Sequence, residues 1–243
     1  MERTLRNSTW QDITALRERV MARGAASVEE AGRGFSEDLV RTFPSIVLAR
    51  VFVVLPFERV QPSDREYAVR RAGREIPPGT PVLSLLGTFG AEPSWRQRRL
   101  SADHLSIPLL SQAFVRDAPM IAKLLADLDM DLAGLDDGRL TASRKMLGGL
   151  NAAFYVDDAQ SATDSRGSYV IPARGFVKEH AIRTVFGMGG AYVDGTLAVA
   201  IAFTTELLER ATVDRYPSLI ANLKMATAEL LRQNRIYEPT PRP

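Results

Sequence analysis

IRTVFGMGGAYVDGTLAVAIAFTTE at residues 182–206, followed by YPSLIANLKMATAELLRQN at 216–234, is the stretch on which the build of this chain turns. Apolar runs rich in Val, Phe, Ile and Ala flank Asp194 and Gly195. That dipeptide is the strongest short hairpin signal, because both central positions of a type I′ turn need positive φ. The reading is strand, tight turn, strand. Behind it, Leu219, Ile220, Leu223, Ala226, Leu230 and Leu231 recur at helical spacing and predict an amphipathic helix over 217–234. No signal of comparable strength points to catalysis.

Working outward, the run Ile46–Pro56 reads as a buried central strand, 81–86 as another, and 105–110 as a strand whose Pro108 suits a sheet edge or bulge. Ala152–Val156 predicts one more strand. Helices are expected at 117–128, with Pro119 in the first turn, and at 173–180. Ahead of the first strand, Ser8 with Gln11 and Ser27 with Glu30 fit capping boxes. Ile13, Leu16, Val20 and Met21, then Phe35, Leu39, Val40 and Phe43, give apolar stripes that end at Pro44. The segment 58–78 is charged and turn-rich, with a short strand expected near 67–69. Residues 129–149 show no clear period. The expected organisation is a helical segment at 1–45, a domain at 46–236 and a disordered, Pro-rich tail at 237–243.

Composition narrows the function classes. Of 243 residues, 45% are hydrophobic and 25% charged, the balance of a folded globular protein. The run at Ile46–Pro56 is broken by Arg50 and too short to span a bilayer, and residues 1–10 lack the apolar core of a secretory signal. The expectation is a cytoplasmic protein with no membrane partner. Cysteine is absent, which removes disulfides, thiolate nucleophiles and thiolate ligands together. His104 and His180 are the two imidazoles, too few to favour an all-protein zinc site. A formal net charge of +2 argues against a dedicated nucleic-acid binder.

VLARVFVVLPF (47–57), PVLSLLG (81–87), AFYVDDA (153–159), IPARGFVKEHAIRTVFGMGGAYVDGTLAVAIAF (171–203) and the final helix together resemble the GAF family, over residues 35–235. The likeness is one of pattern and order. It is also similar to the sensory modules found ahead of bacterial histidine kinases. The resemblance implies an α+β fold: a GAF/PAS-like central antiparallel sheet with helices on both sides, a helical N-terminal extension and a long C-terminal helix. It also implies a binding or dimerising module that lacks chemistry of its own. The enzymatic subfamily, the free-methionine sulfoxide reductases, works through cysteines, and bilin-binding relatives mostly attach their chromophore through cysteine. Neither property carries over to a chain without cysteine. No cofactor is specified.

Candidate residues cluster in three places. Trp95, with Arg96, Arg98 and Arg99, could clamp a planar anion by stacking and paired hydrogen bonds, with Gly87, Thr88 and Gly90 letting backbone N–H groups approach it. The competing reading is a solvated loop whose Trp covers the sheet edge. His104, near Ser101 and Asp103, is either a ligand contact or a packed histidine. Asp157 and Asp158 either bind a cation or cap a turn, and the lack of a third carboxylate favours the turn. His180, near a helix end, suits a cap there. Arg174, Phe176, Arg183 and Phe186 border the cavity that the resemblance implies, although the two phenylalanines read equally well as core.

The stripes Ile13, Leu16, Val20 and Leu219, Leu223, Leu230 either pack on the chain's own sheet or form a dimer interface, which the resemblance favours. The resulting expectation is a non-catalytic sensory domain that binds a small molecule of unknown identity and forms a homodimer. The alternative is a ligand-free scaffold for a signalling protein partner such as a kinase or regulator.

Overall fold

A computed structural model describes residues 3–101, 104–142 and 151–239. The strands, in chain order, are β1 (Ile46–Pro56), β2 (Pro81–Gly90), β3 (Ser106–Pro108), β4 (Met130–Asp131), β5 (Thr141–Ala142), β6 (Ala152–Val156), β7 (Thr184–Ala191) and β8 (Leu197–Thr204). All but β4 and β5 join one antiparallel sheet in the order β3-β2-β1-β8-β7-β6. The described helices are α1 (Trp10–Ala22), α2 (Val28–Thr42), α3 (Pro62–Ala72), α4 (Gln112–Arg116), α5 (Pro119–Asp127), α6 (Arg174–Glu179), α7 (Arg210–Val213) and α8 (Ser218–Arg232). This is the expected α+β class, a central antiparallel sheet with helices on both sides.

Covering both faces explains why the strands read as nearly continuous apolar runs. Along β1, Ala49, Val51, Val53 and Leu55 face a core shared with α1, α2 and α8. Leu48, Phe52 and Val54 face a second core under α5 and α6. Pro108 lies on the edge strand β3, where its missing donor costs no ladder bond.

The first core corrects several expectations. Ile13, Leu16, Val20, Leu219, Leu223 and Leu230 are all buried within one chain, where α1 and α8 pack on each other and on the sheet. Each such side chain contributes about 1.5–3 kcal/mol by leaving water. That gain is already taken inside the fold, so none of the six is left to form a dimer interface. Because α1 and α2 share this core with β1, residue 45 is not a packing boundary.

The cap of α1 is Thr9 with Asp12, one position beyond the expected Ser8 and Gln11. Ser8 is instead buried, its hydroxyl 2.8 Å from the Tyr216 hydroxyl. Ser27 caps α2 as expected, accepting from the Glu30 amide, whereas the Glu30 carboxylate reaches the Ala26 amide.

The short strand expected near 67–69 is α3. Its start has Pro62 in the first turn and its end has Gly73 in the left-handed region, both good helix signals. The helix hides in the sequence because its buried side is carried by Ala68 and the charged Asp64.

The hairpin is present, with a different turn. Gly195 has φ +85°, whereas Asp194 is not among the positive-φ residues, which rules out type I′. The Gly195 amide donates to the Tyr192 carbonyl and the Tyr192 amide to the Thr196 carbonyl. That pattern is a longer loop in which glycine alone takes the left-handed position.

Burial pushes the phenols of Tyr192, Tyr216 and Tyr237 from the ordinary value near 10 up to about 12. The folded state therefore holds these protons more tightly than the unfolded state. Stability from this source is complete below about pH 10 and declines as pH rises towards 12. A pH titration followed by tyrosinate absorbance and circular dichroism should show these three tyrosines ionising late, together with unfolding, with Tyr155, whose phenol burial also raises, adding to the late group. Full ionisation near pH 10 with the fold intact would contradict this.

Candidate functional site

On the α5 and α6 side, packing is interrupted by a cleft of about 480 Å³, within the range typical of small-molecule sites. Leu48, Phe52, Leu83, Ile201 and Phe203 make its floor on the central strands. Met120, Ile121 and Leu124 of α5 form the roof, and Ile171 and Phe176 one wall. The other wall is the segment after β2, which contributes Trp95, Leu100, Ser101 and His104. Arg71 and Asp117 also line the cleft, and among the described residues Arg50 is the charged side chain that rises from the sheet floor. One of its Nη atoms lies 3.3 Å from the Ser101 hydroxyl.

The two walls meet through aromatic rings. Trp95 stands edge-on to Phe176 at 5.5 Å and to His180 at 4.9 Å, and Phe176 stands edge-on to Phe203 at 5.3 Å. Such edge-to-face contacts are each worth about 0.5–1.5 kcal/mol beyond burial. Room for the indole exists because Gly90 has no side chain: a Cβ there would lie 2.7 Å from Trp95 Cε3. His180, just past the end of α6, joins this cluster.

Of the expected residues, Trp95, Phe176 and His104 come together in the cleft. His104 adopts φ +71°, uncommon for a residue with a Cβ, and its amide donates to the Tyr67 hydroxyl of α3 at 3.0 Å. Asp103 lies outside the described residues.

The remaining candidates do not form the expected site. Gly87 and Thr88 are in β2 and not in an anion-binding loop. Gly87 permits α2 to touch the sheet, because a Cβ there would overlap the Gly32 backbone and lie 2.8 Å from the Arg33 amide nitrogen. Thr88 is buried opposite Arg50 in the β1–β2 ladder.

The three arginines after Trp95 point apart. Arg96 sits over the Phe89 ring at 5.5 Å. Arg98 is buried against Asp64 and Glu29. Arg99 donates to the Glu238 carbonyl. Along two short 3₁₀ turns, Pro93–Arg96 and Arg98–Leu100, the less exposed positions recur every third residue, at Trp95, Arg98 and Ser101, which turns Arg98 inward and leaves Arg96 and Arg99 exposed.

Arg174 organises a loop by donating to the Ala159 and Gln160 carbonyls and stacking on Tyr169 at 4.0 Å. Arg183 lies 3.6 Å from Asp158. Phe186 belongs to the opposite core, against Tyr216, because it is one residue from Val185, which faces the second core, and successive side chains on a strand point to opposite faces. Asp158 accepts from the Gln160 amide and the Ser161 hydroxyl, the turn role favoured by its sequence. Among the described residues, no group of three or more His, Asp or Glu side chains is placed to hold a metal ion.

Sequence reasoning missed Arg50 and Phe203 as site residues. A signal for Arg50 was present: it is the single charge within an otherwise apolar strand.

No family model and no curated protein matches this sequence. Among solved structures, it is similar to a free methionine-R-sulfoxide reductase from Neisseria meningitidis in complex with its substrate (TM-score 0.46, 9% identity, covering 96% of this chain and 99% of that one). It is also similar to the GAF domain of an Acinetobacter phosphoenolpyruvate-protein phosphotransferase (TM-score 0.46, 11% identity, 91% and 93% covered). A third is the phycoerythrobilin-bound GAF domain of a cyanobacterial phytochrome (TM-score 0.45, 9% identity, 92% and 96% covered). At this level of likeness the functional reading rests on the cleft itself.

Proposed function

We propose that this chain is a non-catalytic sensory domain that binds a small, mostly apolar organic anion in the cleft. The carrying observation is the cleft of about 480 Å³ whose apolar floor contains Arg50. Apolar walls favour a body that leaves water, and a guanidinium on the floor favours a carboxylate, sulfonate or phosphate end. A ligand-free scaffold would fill this face with side chains, and the cleft supports the ligand reading over that alternative. In this reading the domain reports occupancy to a signalling protein or to a second copy of itself inside the cell. Sedimentation of ligand-loaded and ligand-free protein tests the second copy.

The direct test uses anilinonaphthalene sulfonate, an aromatic anion, and its neutral parent anilinonaphthalene. Trp10 is 68% exposed, so Trp10→Phe leaves Trp95 as the single indole reporter. Saturable quenching of Trp95 is expected. Arg50→Met should weaken the sulfonate by about tenfold, the value of one charged hydrogen bond, and leave the neutral probe nearly unchanged. Absence of saturable quenching would reject the site. Equal loss for both probes would reject the anionic preference.

A further inference from the structure

After α8 the chain turns back at Asn234, with φ +56°, and residues 235–238 lie as a strap across the start of α2. The Val28 and Glu29 amides, which have no partner inside the helix, donate to the Arg235 and Ile236 carbonyls at 3.0 and 2.9 Å. Ile236 is buried in the first core. The tail expected to be disordered from Tyr237 onward is therefore anchored at its start, and residues 240–243 lie outside the described set.

The same strap grips the cleft wall. The Arg98 guanidinium stands over the Tyr237 ring at 5.1 Å. It also donates to Asp64 Oδ2 at 2.8 Å and lies 3.2 Å from Glu29 Oε2, with both side chains of each pair buried. Glu29 Oε2 in turn accepts the Glu238 amide at 3.2 Å. Arg99 donates to the Glu238 carbonyl at 3.1 Å, and Arg33 pairs with its carboxylate at 2.6 Å. Leu100 and Ser101, which follow these two arginines directly, line the cleft.

We propose that the strap latches the cleft wall in place through Arg98 and Arg99, so that strap docking and cleft occupancy stabilise each other. The occupancy half rests on the ligand reading above. The physical basis is a wall built from two short 3₁₀ turns, with few internal hydrogen bonds, whose buried anchor is shared with the strap. Linkage makes the effect reciprocal: whatever affinity the docked strap adds to the cleft, a bound ligand adds to strap docking.

The test compares wild type, Tyr237→Ala and the milder Glu238→Ala by hydrogen exchange without ligand. The Trp95, Leu100 and Ser101 amides report the wall, since each makes a hydrogen bond within it. Val28 and Glu29 report the strap, and Met188 in β7 serves as a core control. We expect exchange at the wall amides to rise with that at Val28 and Glu29, by about fivefold or more, with Met188 unchanged. Opened strap amides beside an unchanged wall would overturn the latch. If Tyr237→Ala does not fold, Glu238→Ala decides.

In the second arm, saturating anilinonaphthalene sulfonate should slow exchange at Val28 and Glu29. The strap variants should weaken the probe by up to the same factor, reached when the strap is fully undocked. Equal probe affinity in wild type and in variants with an opened strap would overturn the linkage while leaving the cleft reading intact. A probe that fails to bind wild type would instead reject the cleft reading, and the ligand-free arm then decides the latch by itself.

Discussion

Gly87→Ala should be among the most damaging single-methyl substitutions in this protein, costing about 3 kcal/mol or more and leaving little folded material at 37 °C. The added Cβ would meet the backbone of Gly32 and lie 2.8 Å from the Arg33 nitrogen. Overpacking usually costs about 1–3 kcal/mol when side chains can shift. Here the obstacle is the main chain of α2, held by its cap, its strap and the first core, so relief requires the helix to lift off the sheet. Gly24→Ala is the control, since nothing lies within 4 Å of its Cβ. Urea denaturation should give Gly24→Ala a midpoint at or slightly above wild type and Gly87→Ala a much lower one. Similar midpoints for the two would mean that α2 and β2 are not in the contact described.

Arg98→Met should cost about 3–5 kcal/mol, the usual result of breaking a buried ion pair from one side. The loss comes mainly from what stays behind: Asp64 and Glu29 would be buried carboxylates without their shared counter-ion. The triple variant Arg98→Met, Asp64→Leu, Glu29→Gln removes both stranded charges and should recover a substantial part of the loss. As a comparison, Arg210→Gln removes an exposed pair with Asp214 and should leave the denaturation midpoint unchanged within error. An Arg98→Met midpoint equal to that of Arg210→Gln would show that the buried cluster contributes nothing to stability. A triple variant no better than Arg98→Met would locate the loss in packing against Tyr237.

These two results separate two kinds of sequence information. Gly87 looks like part of a glycine-bearing loop, GTFG at 87–90, until β1 is seen to extend alongside it as far as Leu48 opposite Gly90. Arg98 looks like one of three equivalent arginines. Its burial follows from Asp64, 34 positions earlier, and Glu29, 69 positions earlier, neither of which marks itself as a partner in the sequence.

Local pattern was enough to read the strands Ile46–Pro56 and Ala152–Val156, the closing hairpin, the long final helix and the edge or bulge role of Pro108. Each depends on a local cause: side-chain alternation, helical spacing, a missing amide or a glycine turn. Where those elements point was set by packing. It turned Phe186 to one face of the sheet and Phe203 to the other, sent the apolar stripes of the terminal helices into the chain's own core, and joined Trp95, Phe176 and Arg50 around one cleft. A site of this kind is assembled from residues more than a hundred positions apart. Strand register and layer packing bring them together, and no local stretch of the chain contains that information.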